Sequence, residues 1–283
     1  MVLSYHLEHR LSPAAGKGVL LDVGCGHGLV SRELVSQFDV VHAADPSAGM
    51  VAEATRLTSD PKIRIHQAGA EKLPFLPDRS VDVAVAGQAA HWFDYSKAWP
   101  ELARVVKAGG TLAFWGYKDH VVVGYPQASP IFWKFVYGED EVRPGIQSLA
   151  RFWEQPGQKI LQDSFRVIEP PAVDWHDIRR IVWDPNRETA DVSDAQEEAM
   201  WLRKAMKLGE LEGYMRTYSA VNNWRVAHPG QKNRAEGGKG DIIDLLFDEV
   251  ASAVPQWRAA GENWRDIDVD VAWGTVILLA RRR

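Results

Sequence analysis

An α/β fold, with a mostly parallel sheet covered by helices on both faces, is predicted by three observations. Short apolar runs alternate with helix-compatible stretches between residues 18 and 116. The first run empties into a glycine-rich turn that opens a helix, and a lone acid, Asp45, closes the second run. Each element follows. Residues 18–23 (GVLLDV) form a buried strand, and residues 29–36 a helix with Leu29, Val30 and Leu34 on its apolar face. Residues 39–44 are a second strand. Ser47 then stands at the N-cap of a helix carrying Met50, Val51, Ala54 and Leu57. Residues 63–66 and 81–86 are the third and fourth strands, residues 95–106 a helix ending at Gly109 and Gly110, and residues 111–115 the fifth strand. From Lys118 the regularity fails. Residues 190–225 read mainly as helix, 228–240 as a flexible loop, 241–254 as helix and 267–280 as a closing strand.

Composition bounds the function. The chain has 283 residues, 46% of them apolar and 25% charged, enough for one elaborated domain or a domain with a cap. A net charge of −5 gives no overall attraction to nucleic acid or anionic membrane. The one cysteine, Cys25, excludes an internal disulfide and a cysteine-based zinc site, and no metal is expected. The apolar run 271–280 is about half the ~20 residues of a membrane span, and the opening MVLSYHLEHR lacks a signal peptide's apolar core. A soluble protein of a reducing, cytoplasmic compartment is expected. All 12 tryptophans lie at or beyond Trp92, as either an aromatic core or an aromatic-walled pocket.

The sharpest local motif is LDVGCGHG, residues 21–28, between strand and helix. Its glycines let backbone approach a ligand. Asp45, about twenty residues on, is placed to take two ribose hydroxyls. A dinucleotide fits poorly: the spacing is G-x-G-x-G, and Asp22 sets a carboxylate where a pyrophosphate would lie. A ligand with an ammonium group and no phosphate, such as S-adenosylmethionine, suits the loop better.

The motifs DVGCGHG, AADPSAGM, AEKLPF and SVDVAVAGQAAHWFD resemble those of class I S-adenosylmethionine-dependent methyltransferases. AHWFD, FWGY, FWEQPGQ, MRTYSAVNNW and VAWGTVILLARR are similar to the trans-aconitate methyltransferase-like group, notably its fungal members. The resemblance covers nearly the whole chain. It implies a Rossmann-like, seven-stranded sheet with the last strand antiparallel: a cofactor-binding core over residues 1–117, a helical cap over 118–265 with one core strand near 165–173, and the closing strand over 266–283. It assigns Asp22, Gly24, Gly26 and Gly28 to the methionine end of S-adenosylmethionine, Asp45 to the ribose, Ala70 and Glu71 to the base, and Gln88 to the sulfonium. It also implies a small-molecule acceptor, an organic acid or related acidic metabolite methylated on oxygen.

Two departures from the family pattern fall on the cofactor. Members carry a longer segment before the first helix, which folds over the cofactor, and from MVLSYHLEHR the expectation is that this cover is absent or the start truncated. Gly69 stands where an acid often meets the adenine amino group. A methyltransferase fold that transfers no methyl is therefore the competing expectation, serving a cofactor-independent or cofactor-assisted rearrangement of a metabolite or acting as a binding module. His91 is the candidate catalytic residue, as a base toward a hydroxyl or an orienting group toward a carboxylate; its other reading is a locally bonded turn residue. Arg216 is a candidate partner for a substrate carboxylate, or a solvated surface group. Trp92, Trp115, Tyr117, Trp153, Tyr218 and Trp224 are candidates for the acceptor pocket, each also compatible with core packing. Residues 281–283 read as a solvated end. Either a monomer or a homodimer fits.

Overall fold

The structure is a computed structural model that describes residues 1–7, 17–185 and 202–283. At its centre lies β1 (Val19–Val23), paired in parallel with β2 (Val40–Asp45) on one side and β4 (Val81–Gly87) on the other. A strand bonded on both edges and covered on both faces has no wet side. That is why VLLDV is apolar but for Asp22. Beyond β2 lies β3 (Ile63–Gln67), and beyond β4 lies β5 (Val106–Val122), also parallel. Helices α2 (Leu29–Leu34), α3 (Ala48–Leu57) and α4 (Tyr95–Val105) make the crossovers. Ser47 caps α3 by accepting the Met50 N–H at 3.4 Å, and Asp94 caps α4 through the Ser96 N–H at 3.1 Å.

The remaining strands depart from the expected plan in two ways, while the closing strand is antiparallel as expected. The sixth core strand is β8 (Trp175–Trp183), not residues 165–173, which run through turns. The closing strand, β10 (Asp268–Arg282), is antiparallel to both β5 and β8, giving the order β3-β2-β1-β4-β5-β10-β8. An eighth strand, β9 (Arg203–Lys207), falls inside the stretch expected to be helical, while residues 190–201 of that stretch lie outside the described residues. The reason is hydrogen bonding. β8 pairs only the Thr275–Arg282 part of β10, and β9 satisfies the same edge at Asp268–Ala272.

The cap core is separate from the sheet cores. It joins α5 (Ser129–Tyr137), α7 (Leu208–Met215), α8 (Ser219–Ala227), α9 (Ile242–Ala253) and the short α10 (Pro255–Ala259), with α6 (Gly157–Gln162) lying against the sheet. A small hairpin of β6 (Glu141–Arg143) and β7 (Ile146–Gln147) borders it. The expected loop 228–240 is irregular but pinned: Asn233 caps a 3-10 turn at Arg234–Glu236, and Arg234 pairs with Asp248 on α9. The long β5–β10 ladder, from Thr111↔Arg281 to Val122↔Val271, carries strand backbone past the sheet into the cap.

Arg281 is 4% exposed and donates to the carbonyls of Tyr5 and Gly109, which overturns its reading as part of a solvated end, whereas Arg283 is exposed. Tyr5, on α1 (Val2–Leu7), is equally buried and donates its hydroxyl to the Asp177 carbonyl at 2.7 Å. No helix among the described residues is long and apolar enough to cross a membrane.

Candidate functional site

The sheet order reverses at β1, so the turns leaving the carboxyl ends of β1 and β4 face one crevice. In the first turn Gly24, Gly26 and Gly28 have φ of +68°, +54° and +84°, values that side chains disfavour. The Gly24 and Cys25 N–H groups both donate to the Ala44 carbonyl, locking the turn onto β2. A Cβ at Gly24 would run into the Ala89 methyl, whereas one at Gly26 would meet open space, so Gly26 is where backbone borders the crevice. His27 is exposed; Cys25 is buried, with its thiol pushed up to about 12 chiefly by burial, and is no nucleophile.

Asp45 organises the rim. Its Oδ2 accepts the Gly26 N–H and its Oδ1 the Ser47 N–H, both at 2.9 Å, and each oxygen keeps a lone pair for a further donor. Asp22 lies beneath, fully buried. Its Oδ2 accepts the Ser31 hydroxyl at 2.6 Å, but Oδ1 has no partner, and burial is the main cause that raises the carboxyl to about 6. A buried, half-satisfied carboxylate under a glycine turn fits the ammonium of S-adenosylmethionine and would repel a pyrophosphate. Across the crevice Ala70 is buried, and the Glu71 Oε2 lies 2.5 Å from where a Cβ at Gly69 would stand. Glu71 therefore reaches back into the space that Gly69 leaves free. Its Oε1 accepts the Asp94 N–H at 2.8 Å, which holds it there.

After β4 the chain turns at Gln88, φ +57°. Its Oε1 accepts the Tyr117 N–H and its Nε2 donates to the Tyr117 carbonyl, at 2.8 and 2.9 Å, so the amide clamps β5 to this turn. Gln88 lines a cavity of about 280 Å³ with His91, Trp92, Tyr117, Trp153 and Tyr218. These six expected residues converge. His91 is buried, burial pushes its imidazole down to about 4, and Nδ1 has no partner. The locally bonded reading therefore has no hydrogen bond to that nitrogen behind it. Trp92 is half-exposed, with its ring on Gly157, and Trp153 is fixed by its indole N–H to the Val136 carbonyl at 3.1 Å.

Three expected residues are elsewhere. Trp115 packs with Leu20, Val85 and Ile277 and does not line the cavity. Trp224 is fully buried in the cap core, its N–H on the Gln147 carbonyl at 3.3 Å. Arg216 is bound to Asp241, Glu212 and Asp244 at 2.7–2.9 Å, so its donors are spent on internal carboxylates rather than on a substrate. Conversely, Asp119, Tyr137, Gln158 and Tyr214 line the cavity and were not expected. Gln158 closes the FWEQPGQ motif and Tyr214 abuts MRTYSAVNNW, a weak signal. Asp119 and Tyr137 carried none, because only the β5–β10 ladder and α5 bring them there.

A methyltransferase domain model matches residues 21–114. Over its whole length the chain is 24% identical to a “Probable S-adenosylmethionine-dependent methyltransferase” of Saccharomyces cerevisiae, covering 89% of that protein. Over 99% of its length it is 22% identical to a methyltransferase of Aspergillus terreus, covering 88% of it. Among solved structures, a candidate type II methyltransferase of Anaeromyxobacter dehalogenans superposes with a TM-score of 0.62 at 27% identity, over 94% of this chain and 90% of the other. The domain match, the glycine turn and these likenesses support S-adenosylmethionine-dependent methyltransferase activity on a Rossmann-like fold.

Proposed function

We propose that this S-adenosylmethionine-dependent methyltransferase methylates a hydroxyl oxygen of a small acidic metabolite, such as a phenol or enol. One observation carries the reading: an aromatic-walled cavity of about 280 Å³ beside the β4 turn holds a buried histidine with an unpartnered nitrogen. The cavity suits one small ring, near the lower end of ligand pockets. Bound S-adenosylmethionine supplies an electrophilic methyl carbon. Asp22 would hold its ammonium, Asp45 its ribose, and Glu71 with Ala70 its base.

Displacement at a methyl carbon is governed by alignment, which the walls formed by Trp92, Trp153, Tyr117 and Tyr218 would provide. When the acceptor is a hydroxyl, its proton must leave as the new C–O bond forms. His91, neutral at physiological pH, is available to accept it at Nδ1. A carboxylate acceptor, which the trans-aconitate-like resemblance implies, would need a cation. Among the described lining residues the one cation is Lys118, already 3.2 Å from Asp184, and Arg216 is engaged elsewhere.

Calorimetric titration with S-adenosylmethionine and S-adenosylhomocysteine, followed by mass-spectrometric screening of phenols and carboxylic acids, tests this. Micromolar binding lost in Asp45→Ala is expected, with phenols methylated. His91→Asn should lower kcat by roughly 10²-fold while cofactor affinity holds. Binding without any methylated product would favour the cofactor-binding, non-transferring alternative.

A further inference from the structure

The wall formed by Asp119 and Tyr137 has no part in holding the cofactor or in taking the proton. Asp119 comes from the cap end of β5, Tyr137 from the last turn of α5, Gln158 from α6 and Tyr214 from α7, so four elements deliver polar groups to one side of the cavity. Most of these groups satisfy one another. The Gln158 amide donates to the Tyr137 hydroxyl and the Trp273 indole to the Tyr214 hydroxyl, both at 3.1 Å, and the Tyr218 hydroxyl lies 3.3 Å from His120 Nδ1. Asp119 is the exception, since its buried Oδ1 has no partner. Burial raises its carboxyl above the usual range against a hydrogen bond from the Tyr137 hydroxyl and the charge of Lys118, so the open capacity of the carboxylate is at Oδ1. The Lys118 ammonium is itself shared with Asp184 and with the Gln162 carbonyl. Glu154 adds a second carboxylate to the lining.

We propose that Asp119 selects the acceptor by receiving a hydrogen-bond donor, a hydroxyl or a protonated amine, that the acceptor carries away from the oxygen being methylated. The inference rests on the hydroxyl-methylation reading and narrows its substrate class to phenols or enols with a second, donating group. A buried acceptor atom left without a donor is costly, and a ligand donor relieves that cost. A carboxylate at the same place would face Asp119 and Glu154 with no unshared cation among the described lining residues. Asp119, Tyr137 and Tyr218 also border a second cavity of about 810 Å³, lined by Val121, Phe132 and Trp133, which leaves room for the part of the acceptor that bears the donor.

The test uses the purified chain, S-adenosylmethionine and a matched set of phenols: 4-hydroxybenzyl alcohol, tyramine, p-cresol and 4-hydroxybenzoate. For the unaltered chain, kcat/KM with the alcohol and the amine should exceed that with p-cresol by about tenfold or more, and 4-hydroxybenzoate should fall below it. Asp119→Ala should bring the ratios close to one, and Asp119→Asn should also raise the rate with 4-hydroxybenzoate. Unchanged Tm and S-adenosylhomocysteine affinity would show that both variants are folded. Selectivity that survives Asp119→Ala, or an unaltered chain that prefers 4-hydroxybenzoate, overturns the proposal. If S-adenosylhomocysteine binds and no phenol is methylated, the methylation reading has failed. Affinities of the four phenols for the S-adenosylhomocysteine complex, expected in the same order and equalised by Asp119→Ala, then decide the role of Asp119 alone.

Discussion

Asp22 holds a formal charge where there is no water, with one oxygen on Ser31 and one on nothing. Such a group destabilises the free protein and is relieved by a bound cation. Asp22→Asn should therefore fold at least as stably as the parent while weakening S-adenosylmethionine binding by about tenfold, as losing a charge-assisted hydrogen bond does. If Asp22 holds the cofactor's ammonium as proposed, it does so as the carboxylate, which protonates at about 6, so affinity should fall as pH drops below 6. The decline should flatten in Asp22→Asn, and calorimetry between pH 5 and 8 would check both. At Gly69 the sequence shows only that an acid is missing, whereas the structure has the Glu71 carboxylate folded into the vacant space. Side-chain reach across two residues depends on the local turn, which no spacing rule encodes.

Arg216 shows how an element is secured. It leaves the end of α7 and bonds Glu212 one turn earlier, then Asp241 and Asp244 at the start of α9. Burial pushes the Asp241 carboxyl up, but hydrogen bonds from Arg225, the Asp244 backbone and Arg216 outweigh it and leave the group below its usual range. Asp241 in turn caps α9, accepting the Ile243 and Asp244 N–H groups. Arg216→Leu should strand these carboxylates and cost about 3–5 kcal/mol, read as a fall in the urea midpoint, with S-adenosylhomocysteine affinity unchanged. Nothing in MRTYSAVNNW distinguishes this arginine from one that binds a substrate, because its partners lie far along the chain. The glycine turn is the opposite case. Its left-handed backbone is a local demand met by local residues, and it was legible in GCGHG.

At the scale of the molecule, His42, His91 and His120 are buried groups that weaken the fold in acid. His91 and His120 are pushed down to about 4 by burial; His42 reaches about 4 by burial and by the charge of His66. Unfolded, each titrates near 6.5, so between about 6.5 and 4 the unfolded chain binds more protons and stability falls as pH is lowered. Asp22 works in the opposite direction below about 6, so these four groups together take up about two protons on unfolding near pH 5. Urea midpoints at pH 7.5, 6 and 5 should decrease in that order, and His120→Gln should make the decrease shallower.

The sequence by itself determined the alternating α/β core, the turn at Gly24–Gly28, the acid at Asp45 and the cofactor class, because each rests on residues adjacent in the chain and on backbone conformations that only certain residues adopt. It also pointed to six of the residues that converge on the cavity beside the β4 turn. Tertiary structure alone decided that Trp115 and Trp224 are packing residues, that Arg216 and Arg281 are internal, and that Asp119 and Tyr137 share a wall with His91. Those outcomes depend on which distant groups a side chain meets once β10 has closed the sheet, and burial and pairing are properties of the folded surroundings rather than of the residue.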